Sequence, residues 1–303
     1  MVRLRVSDRL EKAEGLDRVV GPVQQVVQKL PPGKVKDALH GVWLGHPVHP
    51  VLVQVPVGAW MSAGFLDALG DGGERQARQL IGLGLLASVP AAIAGSADWA
   101  EQHEQQLRTG VVHAAANTAA ITLYTGSLLA RGRGRGGLGK ALGYAGLAAV
   151  AVGGLLGGDI SYRQAGGVNH AEETPHLVPA GWQDLIVLAD LADGEPAKVM
   201  LGEVPLFVLR AGDQVHALAN KCSHMSGPLS EGTLSEGTLP EGTLPDGELT
   251  DDQSERCVTC PWHGSVFRVR DGAVVHGPAT ADQPAFETRV RDGMVQVCLP
   301  GAG

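Results

Sequence analysis

Aromatic side chains are scarce, at 4% of 303 residues, and charged ones reach only 18%. A chain poor in both must build its interior from aliphatic and small residues, and Gly alone contributes 43. Basic residues are outnumbered: 24 Lys and Arg face 32 Asp and Glu, a net charge of −8. No basic stripe is present, which excludes a nucleic acid as the expected partner. The opening MVRLRVSDRLEKAEG has charges but no apolar core, so it is no cleavable signal peptide. No Gly-rich nucleotide fingerprint for flavin or NAD is found. Cysteine is missing from the first 221 residues; the four present are Cys222, Cys257, Cys260 and Cys298. An even number permits disulfides, but two of them sit in Cys/His pairs, and that pairing favours a metal.

Four long apolar stretches fill the first half, over 51–69, 79–97, 111–130 and 140–158. Each is close to the length that crosses a bilayer as a helix. Glycine is frequent in them, as it is where membrane helices pack closely, and Pro56 and Pro90 are kinks that such helices tolerate. The spacing predicts a four-helix transmembrane bundle over 46–163, after a polar or amphipathic segment 1–45. The half also looks duplicated. His49 opens the first stretch and Asp98 closes the second; His113 and Asp159 do the same for the third and fourth. An up-down path then sets His46, His49, Asp98, His113 and Asp159 at one face of the bilayer. Ionisable groups there are costly and often functional. They read either as a cluster holding a metal, haem or quinone, or as a plain polar cluster at helix ends. The run GHPVHPVLVQVPVGAW at 45–60, with Asp67 beyond it, resembles a family of small four-helix bacterial membrane domains of unknown function. The resemblance implies a multi-pass protein of the bacterial cytoplasmic membrane. Lys and Arg flank the stretches at both ends, so the positive-inside rule leaves orientation open.

Residues 164–181 read as a linker. From Trp182 to Gly303 the pattern becomes short apolar or alternating runs separated by Gly-Asp, Asp-Gly and Gly-Pro, which predicts a small all-β domain. Inside it, Cys222-Ser223-His224 answers Cys260-Pro261-Trp262-His263. Two thiolates and two imidazoles suit tetrahedral zinc or a [2Fe-2S] cluster of mixed ligation. The one-residue gap inside the first pair is unusual for zinc. The two motifs, with the Gly-Pro-Leu at 227–229 and Gly-Ser-Val-Phe at 264–267, resemble the Rieske [2Fe-2S] family over about 182–300. That resemblance implies one cluster, with Cys222 and Cys260 on one iron and His224 and His263 on the other. The inter-loop disulfide of the quinol-oxidising members would fall at Gly227 and Trp262 and is lacking. Ser265 matches a hydrogen-bonding serine of those members, but Phe267 stands in place of their tyrosine. The likeness is therefore to the ferredoxin type, with Ser265 and Trp262 the candidates for supporting the site.

Between His224 and Cys260 the pentads LSEGT, LSEGT, LPEGT and LPDGE lengthen the gap over 229–249. A five-residue period does not match a strand's period of two, and the segment reads as an exposed, mobile, acidic loop. Cys257 and Cys298 read as small core residues. The chain stops at Gly303, just after the β domain, and no 2-His-1-carboxylate triad has a domain to hold it. The expectation is a membrane-anchored one-electron carrier without a substrate site of its own, serving a partner reductase or oxygenase. One alternative is a subunit of a quinol- or haem-linked membrane oxidoreductase that uses His46, His49 and His113; another is a redox-sensing membrane protein.

Overall fold

The structure, a computed structural model, describes residues 6–237 and 255–300. In chain order the helices are α1 (Val6–Glu11), α2 (Asp17–Val27), α3 (Lys34–His40), α4 (His49–Leu52), α5 (Gln54–Ala68), α6 (Glu74–Ala100), α7 (Glu104–Gly132), α8 (Gly136–Gly158) and α9 (Thr174–Leu177). The strands are β1 (Gln183–Val187), β2 (Pro196–Leu201), β3 (Val204–Ala211), β4 (Gln214–Ala219), β5 (Thr233–Gly237), β6 (Glu255–Thr259), β7 (Val266–Arg268), β8 (Val274–His276), β9 (Ala285–Arg291) and β10 (Met294–Cys298). Two compact units result. One joins the chain up to Pro31 with Pro47–Gly167; the other joins Pro32–His46 with the chain from Val168 onward.

The helical unit is built from two hairpins, α5 with α6 and α7 with α8. Small residues let each pair approach: Ser88, Ala91, Ala94, Ala97 and Ala100 recur every third position on the buried face of α6. The duplication is explicit in the packing. Trp60 of α5 lies against Gly84 of α6, and Tyr124 of α7, 64 positions after Trp60, lies against Gly146 of α8. A side chain at either glycine would occupy the ring's place. The two rings then stack on each other, with centroids 4.4 Å apart and planes at 11°. Seven residues further along, the equivalents Asp67 and Arg131 meet as a bidentate ion pair, with side chains 3% and 1% exposed. Ser127 Oγ accepts from Arg131 Nε at 3.2 Å and donates to Gly139 O at 2.6 Å. The charge is thus paired and hydrogen-bonded where burial would otherwise be costly.

Three helical stretches are long and apolar enough to cross a membrane: His49–Ala68, Glu74–Ala100 and Gly136–Arg163. The fourth long helix, α7, spans 29 residues but is not among them. Its first half carries Gln105, Gln106, Arg108, Thr109, His113 and Asn117. The segment before the bundle is helical as well. Asp17 takes two hydrogen bonds at 2.7 Å from the Arg108 guanidinium, and Gln24 Nε2 donates to the last carbonyl of α6, Ala100 O, at 2.8 Å. That bond satisfies a carbonyl which a helix end leaves without an internal partner.

The β unit has a six-stranded sheet, in the order β1-β10-β9-β4-β3-β2, and a four-stranded sheet, β5-β6-β7-β8. β3 reads VPLFVLRA, and Leu206, Phe207, Val208 and Leu209 are all fully buried. Apolar residues on both faces let it feed two cores. Leu206 and Val208 join the core with Val295 and Val297; Phe207 and Leu209 join the core that contains Cys222, Cys260 and Phe267. The stretch expected as a linker is packed from Val168 onward. Ala171 and Thr174 are buried, Val178 enters the first core, His170 N donates to Ser223 O at 2.8 Å, and Lys221 pairs with Glu173.

The pentad segment also departs from expectation. Leu229 is fully buried in a 3-10 turn, Leu229–Glu231, and Thr233–Gly237 pairs antiparallel with Glu255–Thr259 as β5 against β6. The alternation Thr-Leu-Ser-Glu-Gly serves as an edge strand because only Leu234 must face the core. The remaining pentads lie outside the described residues. Excising 231–245 would remove β5, whereas deleting the two pentads 239–248 spares every described strand. Closure entropy changes only weakly with loop length. The 239–248 deletion is therefore expected to keep its full iron–sulfur absorbance, and the 231–245 deletion to lose it. Visible spectra of the two purified variants check this.

Candidate metal centre

Two loops of matching construction carry the cysteine–histidine pairs. The first follows β4 and the second joins β6 to β7. In the first, Cys222 N donates to Gly227 O at 2.8 Å and Ser226 N donates to Cys222 O at 2.8 Å. In the second, Cys260 N donates to Ser265 O at 2.8 Å and Gly264 N donates to Cys260 O at 3.1 Å. The turn closes in each at a left-handed residue four positions after the cysteine, Ser226 with φ 63° and Gly264 with φ 74°. For Ser226 that conformation is unusual and is held by the bonds around it. The N–H groups two and three positions after each cysteine turn onto its sulfur: those of His224 and Met225 onto Cys222, those of Trp262 and His263 onto Cys260. Such a nest of N–H groups favours an anionic sulfur.

The loops face each other. Cys222 and Cys260 are buried and their thiols hydrogen-bond. That bond, helped by the N–H groups of Trp262 and His263, holds the Cys260 thiol down to about 7 although burial opposes it. The same bond, and then burial, pushes the Cys222 thiol up. The pair thus gives up one proton readily and resists losing the second until a cation is beside it. The His224 and His263 rings lie edge to face with centroids 5.0 Å apart, both half-buried. Gly227 of the first loop lies against the second: a Cβ there would stand 2.6 Å from Cys260 Sγ and 3.1 Å from the Trp262 ring. Trp262 itself is 50% exposed beside His263.

Sequence reasoning missed the residue that braces the first loop. Gln283 is 2% exposed. Its Oε1 accepts from Ser223 N at 3.0 Å, and its Nε2 donates to Ala219 O at 2.8 Å and also to Lys221 O. A lone glutamine between Asp282 and Pro284 carries no periodic or spacing signal. A third stretch of chain, 277–281, touches both loops: Ala279 N donates to Ser265 Oγ at 2.9 Å, and Ser223 Oγ donates to Ala281 O at 2.7 Å. Phe267 is fully buried in the core behind the second loop.

Among the described residues no three His, Cys, Asp or Glu side chains converge as a group that could hold one metal ion. A binuclear cluster asks for less, two protein donors on each iron. Two buried sulfurs in N–H nests and two imidazoles beside them fit that demand. Cys257 is buried in β6, Cys298 is half-buried in β10, and neither forms a disulfide.

The candidate group in the helical unit is only partly assembled. His49 and His113, again 64 positions apart, face each other with ring centroids at 6.4 Å. His49 Nδ1 is 2.8 Å from Ala91 O and His113 Nδ1 is 2.8 Å from Gly153 O; a carbonyl only accepts, so each Nδ1 carries the proton. Asn117 Nδ2 lies 3.1 Å from His113 Nε2. Asp159 instead bonds Arg163 at 2.6 Å and Gln164 at 2.8 Å. Asp98 is half-buried in the last turn of α6. His46 is exposed and groups with the β unit.

Comparison with known proteins matches residues 181–287 to the Rieske [2Fe-2S] domain and residues 45–170 to a predicted membrane protein family, DUF2231. The anthranilate 1,2-dioxygenase ferredoxin subunit of Burkholderia cepacia is 30% identical over 118 residues, 39% of this chain and 92% of that protein. Ferredoxin CarAc of Metapseudomonas resinovorans is 32% identical over 117 residues, 38% of this chain and 92% of its own. Among solved structures, a complex of reduced oxygenase and oxidized ferredoxin in carbazole 1,9a-dioxygenase matches at 30% identity. It covers 39% of this chain and 92% of that one, with a TM-score of 0.30. The chain belongs to the Rieske [2Fe-2S] family, and its domain carries one [2Fe-2S] cluster. It is a ferredoxin-type electron carrier homologous to oxygenase ferredoxin subunits, joined to a domain of the membrane family.

Proposed function

We propose that this protein is a membrane-anchored Rieske ferredoxin of the bacterial cytoplasmic membrane, passing single electrons to or from a partner oxygenase or reductase. The observation that carries the reading is the pair of matched loops. Cys222 and Cys260 would hold one iron through sulfurs already set in N–H nests, and His224 and His263 would hold the other. When bound, the cluster takes up and releases one electron. The protein's own residues do the rest. The N–H groups of His224, Met225, Trp262 and His263 stabilise charge on the sulfurs. Gln283 and Ser223 fix the first loop, and Ser265 and Ala279 fix the second. Ser265, whose carbonyl accepts from Cys260 N, would be a hydrogen-bond partner of the cluster. Trp262, exposed beside His263, gives a partner an apolar surface close to the site.

The anchor is supported by three long apolar stretches whose large side chains stay exposed, among them Phe65, Leu86, Ile93 and Leu155. Exposed apolar faces of this extent mark contact with lipid or protein. The relatives' names supply the partner class: a dioxygenase ferredoxin subunit, and a ferredoxin seen with its oxygenase. The test has two arms. Alkaline washing of membranes should leave both the chain and its iron in the pellet. The reduced protein should then reoxidise on addition of a Rieske oxygenase component. Release of the chain by the wash sinks the anchor, and failure to reoxidise with oxygenase or reductase components sinks the partner class.

A further inference from the structure

Pro32–His46 precedes the long helices in sequence but belongs to the β unit, and α3 within it lies outside both stretches matched to known families. Asp37 is one of its fastenings. Asp37 Oδ1 accepts from Gly277 N at 3.0 Å, and Asp37 Oδ2 bonds His276 Nδ1 at 2.9 Å. The two side chains are 16% and 26% exposed. His40, 1% exposed, and Val42 cover Gly277 so closely that a Cβ there would stand 3.2 Å from Val42 and 3.3 Å from His40. α3 ends at Gly41, with φ 85°, whose N–H donates to Asp37 O at 3.0 Å, so the helix end and the anchor are the same residue.

What is fastened matters because of where it leads. Two residues beyond Gly277, Ala279 N donates to Ser265 Oγ, and both residues are buried. Ser265 O receives Cys260 N. Four residues beyond Gly277, Ala281 O receives Ser223 Oγ, next to Cys222. One carboxylate therefore holds the start of the only described stretch seen to bond both cysteine loops.

We infer that Asp37 is a positioning residue for the iron–sulfur site, and that the 32–46 strap is a working part of the electron-transfer module. The inference rests on the reading of Ser265 as a hydrogen-bond partner of the cluster. With Ala279 N–H donating to it, the Ser265 hydroxyl is polarised and its own donated bond is strengthened. Donors to cluster sulfur stabilise the reduced charge and raise the potential. Loosening Asp37 frees Gly277, then Ala279, and weakens that donation.

The test uses the full chain in detergent. Asp37→Leu is expected to lower the midpoint potential in film voltammetry and to alter the g values of the reduced cluster. Asp37→Asn, which keeps an acceptor for Gly277 N–H, is expected to stay near the parent protein. In the metal-free chain the Ala279 amide should exchange hydrogen faster in Asp37→Leu than in Asp37→Asn. Gly277→Ala wedges the same contact from the other side and should shift the potential in the same direction; it serves if Asp37→Leu yields no cluster. Parent potential and g values in Asp37→Leu and Gly277→Ala would overturn the proposal, even with less cluster assembled. Ser265→Ala separates the two layers: a shift there without one in the strap variants sinks the strap alone, and no shift in Ser265→Ala sinks the reading beneath it.

Discussion

Replacing Cys260 by alanine is expected to abolish the iron–sulfur cluster, leaving no visible absorbance and no EPR signal on reduction. The change removes a sulfur already buried, already bonded to Cys222 and already held down to about 7 by that contact and two N–H groups. Among the described residues no third cysteine joins the pair. Cys257 lies three positions back in β6, where its backbone is committed to pairing with Ser235 and Arg268. Cys222→Ala should do the same, because the two loops share the pair of backbone bonds that closes each turn on its cysteine. His263→Cys tests the mixed ligation itself: the parent spectrum must vanish even if some iron is retained. A parent-like spectrum in any of the three variants would remove that residue from the ligand set. Ser265 and Trp262 are expected to alter the signal and not to abolish it.

The second large effect is predicted in the helical unit. Arg131→Met leaves Asp67, 3% exposed, as a buried carboxylate without its cation. Breaking such a pair from one side costs about 3–5 kcal/mol, whereas replacing both partners by apolar groups is often neutral. Arg131→Met should therefore lower the unfolding midpoint of the helices sharply, and Asp67→Leu combined with Arg131→Met should restore most of it. Helical circular dichroism in detergent, followed against temperature, reads both. Equal losses in the single and double variants would show that the pair is held by something other than its own charge balance.

The two cysteine–histidine loops were legible because each carries its candidate donors within four consecutive residues. A short motif is a local signal, and the turn that positions it is local too. The change from long apolar stretches to short alternating ones likewise marked the helical and β halves. The duplication was legible in part: His49 and His113 showed it, but Trp60 with Tyr124 and Asp67 with Arg131 did not. A tryptophan matched to a tyrosine and an acid matched to a base share no letter, although each pair meets across the repeat. β5 was missed because a pentad repeat suppresses period two, even where one copy supplies it. The strap and Gln283 were out of reach for a different reason. Asp37 bonds a residue 239 positions away and Gln283 bonds one 60 positions away. Nothing local in the chain marks either end of such a contact.

The central claim is that Cys222, His224, Cys260 and His263 hold one mixed-ligand [2Fe-2S] cluster in a chain that also enters the membrane. EPR of the reduced, membrane-extracted protein, with iron and sulfide measured on the same sample, tests it most directly. The account predicts about two irons and two sulfides per chain, and the low average g of a cluster with nitrogen ligands on one iron. Stoichiometric zinc in iron-replete material, or the spectrum of a cluster held by four thiolates, would contradict it.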